Sequence, residues 1–322
     1  MGNTRKTKSY SYSPSHITGF FEIRDDRNPL YKGSVGGGVV LEKGCVTEAS
    51  LDNDFPQKGT KAEIEIKING VEEEANTTKY VVETLAGKYE HKHAVNVIVS
   101  TEFDVPVGAG LGASGAGALS TALALNRLLS LGMTVTEVAQ IAHLAEVENN
   151  TGLGDVIAET YGGVVIRKKP GPLGIGIINK IPHERQKISY VVFGTRATRA
   201  VLVDDSMKRQ INKAGREAMK ELVRKPSLDN FMRVSRKFSL HSELISDKCR
   251  DAMEAVEAEG CVASAAMIGD TVFVIGNSEA LKEFGEVRES RISEVGAKIQ
   301  NERMCLAEVK KTTRFHEINT RR

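Results

Sequence analysis

A chain of 322 residues, 40% of them hydrophobic, carries enough apolar material for two domains. Its 44 basic and 42 acidic residues leave a net charge of +2, which speaks against the whole-molecule field of a nucleic-acid or membrane-surface binder. No apolar run nears the roughly 18 residues of a bilayer span, the basic N-terminus lacks the apolar stretch of a signal peptide, and Cys45, Cys249, Cys261 and Cys305 form no C-x-x-C pair, so a cytoplasmic protein with reduced thiols and no nucleic-acid or membrane partner is expected.

Residues 1–8 read as a mobile polar tail. The first ordered segment is Tyr12 to Ile23, YSPSHITGFFEI. Glycines from Gly33 to Gly38 then suggest a turn ahead of a strand from Val39 to Glu42. Lys43-Gly44 predicts a second turn into Val46 to Ser50, and Ser34 and Gly36 are kept as site candidates. Ile64, Ile66 and Ile68 alternate as in a half-buried strand, and Asn69-Gly70 is a hairpin signal before Val71 to Ala75. A short helix near Thr78 to Leu85 and a strand from His93 to Ser100 lead to the stretch with the most information.

That stretch is Val105 to Leu125, where five glycines between Gly108 and Gly117 run into an alanine- and leucine-rich helix starting near Ser114. A glycine loop entering a helix presents unpaired N–H groups and the positive end of the helix dipole, a combination that favours phosphate. Gly110 and Gly115 have P-loop spacing, but Ala116 and Gly117 stand where Lys and Ser/Thr should follow. Gly110, Gly112 and Gly115 spell G-x-G-x-x-G, yet a second helix follows where the dinucleotide fingerprint needs a strand ending in an acid. A tightly packed loop without ligand and a phosphate cradle of another type remain open.

Thr134-x-x-Glu137 reads as a capping box, with Val138, Ile141, Ala142 and Ala145 as an apolar stripe that Glu146 and Glu148 flank. Thr151-Gly152-Leu153-Gly154-Asp155 is a turn opening another helix, which ends at Gly162-Gly163. Pro170 to Gly174 and Ile181-Pro182 punctuate the chain before a strand from Ile188 to Gly194. Thr195 to Ala200 is placed by a cleft. Helices are expected over Val203 to Val223 and Leu228 to Ile245, and a hairpin at Gly269-Asp270 pairs Val262–Ile268 with Thr271–Ile275.

Pro106-x-Gly108-x-Gly110-Leu111-Gly112-x-Ser114 resembles the second motif, P-x-G-x-G-L-G-S-S-A, of the GHMP superfamily of small-molecule kinases; Ala113 replaces the first serine. The resemblance implies an α+β fold of two domains, an N-terminal ribosomal-protein-like β/α domain over 9–182 and a C-terminal ferredoxin-like α/β plait over 183–322, with the site in the cleft between. It implies ATP and Mg²⁺, with Pro106, Gly108, Ala109, Gly110, Leu111, Gly112, Ala113, Ser114 and Gly115 around the nucleotide. Ser114 and Glu146 are implied metal ligands, Glu148 being a rival, and Asp155 takes the proton from the acceptor hydroxyl. His16 stands in the proline-led strand where many relatives have lysine, exchanging a fixed cation for one that titrates near neutrality. The third motif is reduced to Gly260.

The segments SPSHITGFFEI, GSVGGG and AHLAEVENNTGLGDV resemble a branch of the superfamily whose acceptor is a small hydroxy acid. Its carboxylate needs a cation or an N–H cluster; His16, Arg24, Ser34, Arg196 and Arg199 are candidates. Another small hydroxylated metabolite, or a non-catalytic metabolite sensor on the same fold, stays open, as does assembly into a homodimer.

Overall fold

The computed structural model describes residues 8–51, 63–89, 96–195 and 204–301. Two long strands, β1 (Lys8–Arg24) and β2 (Gly33–Leu51), pair antiparallel along their whole length. The turn expected at Lys43-Gly44 does not form. β2 runs straight through it, and the extra residues are absorbed where the register slips opposite Pro14 and Ser15. A proline has no N–H for the ladder, so a bulge there costs little. Gly33 to Gly38 likewise lie inside β2 rather than in a turn. Gly36, Gly37 and Gly38 are glycines because of what faces them: a β-carbon on Gly38 would stand 2.0 Å from the His16 ring.

β3 (Ile64–Ile68) and the short β4 (Val71–Glu72) form the expected hairpin, Asn69 and Gly70 both taking positive φ, as a type I′ turn requires. Next come α1 (Asn76–Tyr89) and β5 (Val97–Phe103), which runs parallel to β3. α2 (Ala113–Leu128) follows the glycine loop, and α3 (Val135–Asn149) starts with the complete Thr134–Glu137 capping box. α4 (Asp155–Tyr161) ends at Gly162, and β6 (Val164–Lys169) and β7 (Ile177–Ile181) complete this half.

The rest of the chain contributes β8 (Lys187–Gly194), α5 (Asp205–Arg224), α6 (Leu228–His241) and α7 (Asp247–Ala258). It continues through β9 (Ala263–Ala265), β10 (Asp270–Ile275), β11 (Arg288–Arg291) and β12 (Lys298–Gln300). Helices α5, α6 and α7 open at Asp204, Ser227 and Ser246, whose side chains accept from first-turn N–H groups. α7 is an element the sequence reading passed over. Its signal was Ser246 ahead of the buried Cys249, Ala252, Met253 and Val256.

The first sheet runs β12-β1-β2-β5-β3-β4, with β6 and β7 added on the other half of β2; the second runs β11-β8-β10-β9. β12 brings the end of the described chain back to the edge of the first sheet, pairing Gln300 with Tyr10. One apolar core, including Phe20, Phe21, Phe231 and Phe238, joins β1 to α6 and the second sheet; another packs α1, α2 and α3 on β5. α2 is buried on almost every side, which is why it is built of alanine, glycine and leucine. Among the described residues no helix is long and apolar enough to cross a membrane. Cys45, Cys249 and Cys261 are free thiols; Cys305, most of the expected tail, Arg196 and Arg199 lie outside the described residues.

Candidate active site

The glycine loop is held from two sides before it meets a ligand. The Leu111 carbonyl accepts from the His16 N–H at 3.2 Å, and the Ala109 carbonyl accepts from the Thr271 hydroxyl at 2.8 Å. Gly110, at φ 78°, lies so close to the hairpin that a β-carbon would come within 2.8 Å of Gly269 Cα. Gly269, not Gly260, is therefore the C-terminal glycine against the loop. Gly112 takes the left-handed conformation at φ 66° and caps α2 with no side chain. The first helical bond runs from Ala116 N–H to the Gly112 carbonyl, so the N–H groups just before it have no partner within the helix. Those of Ala113 and Ser114 belong to residues on a cavity wall.

That cavity, about 380 Å³, is lined by Gly108, Gly110, Leu111, Gly112, Ala113 and Ser114 on one side. Thr18, Ser34, Gly152, Gly154, Asp155 and Arg167 line the other, with Met267 and Ile268 from the second half of the chain. Pro106, Ala109 and Gly115 of the predicted loop do not line it. A second cavity of about 390 Å³, including Asn76, Thr77, Thr78 and Phe103, shares Val107, Ala113, Ser114, Asn149, Asn150 and Thr151 with the first. Ser114 thus stands at the seam between the two.

His16 and Asp155 meet at 2.7 Å between Nδ1 and Oδ1. The Arg167 guanidinium lies 3.5 Å from the other ring nitrogen and can only donate to it. His16 is consequently assigned as the neutral tautomer that carries its proton on Nδ1 and donates to Asp155. Burial lowers the His16 pKa, and Arg167 adds to that, against the opposing pull of Asp155. This corrects the expectation of an imidazole titrating near neutrality: the fixed cation here is Arg167, and His16 remains uncharged. Burial by itself would raise the Asp155 carboxyl, but the hydrogen bond it accepts from His16, then the Arg167 charge and Thr18, hold it below its ordinary value.

Glu146 is buried beside Asp155, and its carboxyl is pushed up to about 7, first by burial and then by the Asp155 charge. Its Oε2 has no hydrogen-bond partner. A β-carbon on Gly152 would lie 1.8 Å from that oxygen, which explains the first glycine of the T-G-L-G-D turn. The second, Gly154, leaves room for Arg167 Nε and Ser34 Oγ, each 2.6 Å from where its β-carbon would be. Glu148 is exposed and lines the second cavity instead. Arg24 is not brought to the first cavity: half exposed at the end of β1, its guanidinium pairs with Glu22 at 3.0 Å. Gly36 packs against the Phe20 carbonyl.

Two buried groups escaped the sequence reading. Arg167 is 1% exposed, touches Ser34 Oγ at 3.5 Å, and keeps an Nε with no partner. Its only signal was an arginine directly following the apolar run Val164-Val165-Ile166, at the head of the basic stretch Arg167-Lys168-Lys169. Glu159 is fully buried with both carboxyl oxygens unpartnered, one helical turn after Asp155 and against Gly112 and Gly115. Burial, then Asp155 and Glu146, raises its pKa well above the ordinary value.

A raised folded value means that the native protein holds a proton which the unfolded chain releases near pH 4.3. That contribution to stability is complete below this pH and is lost as pH rises through the folded value. Glu159→Gln keeps the neutral shape, so its melting temperature is expected to match the parent's at about pH 4 and to exceed it increasingly toward about pH 8. Thermal unfolding across that range measures it; parallel curves would remove the buried neutral acid.

Residues 76–163 match the family model described as the GHMP kinases N terminal domain. The chain is 34% identical to a pantoate kinase of Methanocaldococcus jannaschii over 84% of its length and 94% of the relative's. It is 36% identical to a pantoate kinase of Thermococcus kodakarensis over 84% and 88%. A solved structure described as a phosphotransferase related to the CoA biosynthesis pathway superposes with a TM-score of 0.81 at 31% identity, covering 92% of this chain and all of that one. A mevalonate-3-kinase of Thermoplasma acidophilum shares the fold alone, with a TM-score of 0.63 at 14% identity. With that identity sustained along most of each relative, the chain belongs to the pantoate kinase family of the GHMP kinases.

Proposed function

We propose that the chain transfers the γ-phosphoryl group of ATP to the primary hydroxyl of pantoate, giving 4-phosphopantoate for coenzyme A biosynthesis. One observation carries the acceptor's chemistry. A single cavity holds an ionised carboxylate, Asp155, and a buried guanidinium with an unused donor, Arg167. A hydroxy acid has one group for each. Its carboxylate meets Arg167 and Ser34, a charge-assisted contact, while its hydroxyl faces Asp155.

Phosphoryl transfer asks the protein chiefly for positioning and charge stabilisation. The N–H groups at the start of α2 and the loop from Gly108 to Ser114 grip the phosphates at the seam, with the nucleoside in the second cavity. Asp155 accepts the hydroxyl proton as the acceptor oxygen attacks. His16, neutral and donating from Nδ1, fixes the Asp155 carboxylate and withholds a second cation. Ser114 and Glu146 offer only oxygen, and the unpartnered Glu146 Oε2 fits a hard divalent cation such as Mg²⁺. Among the described residues no group of three or more acidic, histidine or cysteine side chains could hold a metal. A magnesium ion that keeps waters and takes phosphate oxygens needs no such group. When bound, it neutralises charge that develops on the phosphates.

The test is a panel of pantoate, mevalonate, homoserine and shikimate with ATP and Mg²⁺, read as ADP release. Turnover with pantoate is expected to dominate. Turnover of another acceptor with none of pantoate would overturn the substrate and leave the kinase; absence of turnover with all four would favour a sensor.

A further inference from the structure

The Glu146 side chain is oriented from outside its own helix. Its Oε1 accepts from the Thr151 hydroxyl at 2.6 Å, and that hydroxyl lies 3.1 Å from the hydroxyl of Thr77. A threonine has one O–H proton to give. Thr151 directs its proton to Glu146 Oε1, the Glu146 carbonyl at 3.4 Å being the longer alternative, so the proton between the two threonines comes from Thr77. The chain therefore has a direction, from Thr77 to Thr151 to Glu146. Its outcome is that Oε1 is occupied while Oε2 stays buried without a partner.

The two threonines enter from different elements. Thr151 follows α3, where its own N–H also bonds the Glu146 carbonyl at 3.0 Å. Thr77 lies in the first turn of α1 and is buried. Thr77 lines only the second cavity, whereas Thr151 lines both. Whatever occupies the second cavity thus touches one end of a hydrogen-bonded chain whose other end is Glu146. The terminal torsion of a glutamate is broad and roughly two-fold. Ser114 also stands against this carboxyl, but the 2.6 Å bond from the Thr151 hydroxyl is the one that ties down Oε1 and so helps select the oxygen that is presented.

We infer that Thr77 and Thr151 form a hydroxyl relay that sets the Glu146 carboxylate for a divalent cation from the nucleoside side of the site. Both are positioning residues, acting through Glu146 and not on the reacting atoms. The inference rests on Glu146 as a metal ligand, as proposed above. Hydrogen-bond partners of ligating groups typically carry about 10–100-fold in metal affinity or activity, and Thr151 holds that position.

The experiment uses the full chain with a non-hydrolysable ATP analogue and Mn²⁺ as the probe, with affinity read from water-proton relaxation so that no turnover is needed. Thr151→Val is expected to weaken Mn²⁺ binding about tenfold or more, while Thr151→Ser, which retains the hydroxyl, stays within about twofold of the parent. Thr77→Val is expected to weaken binding less in the parent and to add nothing in the Thr151→Val background. If Thr151→Val does not fold, Thr77→Val against Thr77→Ser supplies the same comparison. Parental affinity in Thr151→Val, or in Thr77→Val where that comparison stands in, overturns the relay, as do independent, additive losses from the two valines. Loss of Mn²⁺ binding in Glu146→Gln then leaves the metal site standing, whereas parental binding in that variant overturns the metal site and the relay with it.

Discussion

Replacing Asp155 with asparagine is expected to lower kcat by about 10²–10⁴-fold and to leave the KM for ATP near the parent's value. The amide has the shape of the carboxylate and can still accept from His16 Nδ1, 2.7 Å away. It cannot take the acceptor's proton. The nucleotide contacts proposed at the start of α2 and at Ser114 do not involve Asp155, so binding and turnover should separate. Steady-state kinetics with saturating acceptor measures the split. Because its neighbours hold the Asp155 carboxyl below its ordinary value of 3.8, the acid limb of kcat that belongs to this residue lies below that pH. Parental turnover in the asparagine variant would remove the general-base role.

A second large effect is expected at Arg167. Hydrogen bonds to charged groups contribute about 1.5–3 kcal/mol, so Arg167→Met should raise the KM for the acceptor by about 10–150-fold. The KM for ATP should stay near the parent's value. Arg167→Lys is expected to recover little, because an ammonium cannot reproduce a planar fork of donors. The pH profile separates this role from simple loss of packing. Arg167 is one of the groups that lower the Asp155 pKa, so its removal should shift the acid limb of kcat upward, whereas a merely loosened cavity would leave the limb in place. An unchanged acceptor KM in a folded Arg167→Met protein would redirect the search for the carboxylate's partner to Arg196 and Arg199.

Much of the fold could be read along the chain because its signals are local. The Asn69-Gly70 hairpin rests on two adjacent positive φ angles, and the Thr134–Glu137 capping box on side chains three residues apart. The loop before α2 announces itself by glycines, and its resemblance to a kinase motif follows from the order of residues alone. Reading failed where one chain segment answers another. Lys43-Gly44 looks like a turn in isolation, yet it lies in mid-strand because β1 offers a partner along the whole of β2. The glycines from Gly33 to Gly38 look like a turn, but they lie within β2, and close packing against Phe20 and His16 of β1 requires Gly36, Gly37 and Gly38 to lack a β-carbon.

The site divides in the same way. Ser114, Glu146 and Asp155 could be named because the order of residues around them resembles the kinase motifs, with Glu148 left as a rival to Glu146. What those residues meet came only with the tertiary structure. Arg167 approaches His16 across 151 positions, and Thr77 approaches Thr151 across 74. The choice between Glu146 and Glu148 is one of burial, and so is the charge of His16. The physical reason is that a side chain's chemistry depends on its desolvation and on the charges within a few ångströms. By itself the sequence determined which groups are present, the local elements that carry them and the family they resemble. Folding decided which of those groups lose their water together, and with that which one is the cation, which carboxyl is ionised and which oxygen is left open.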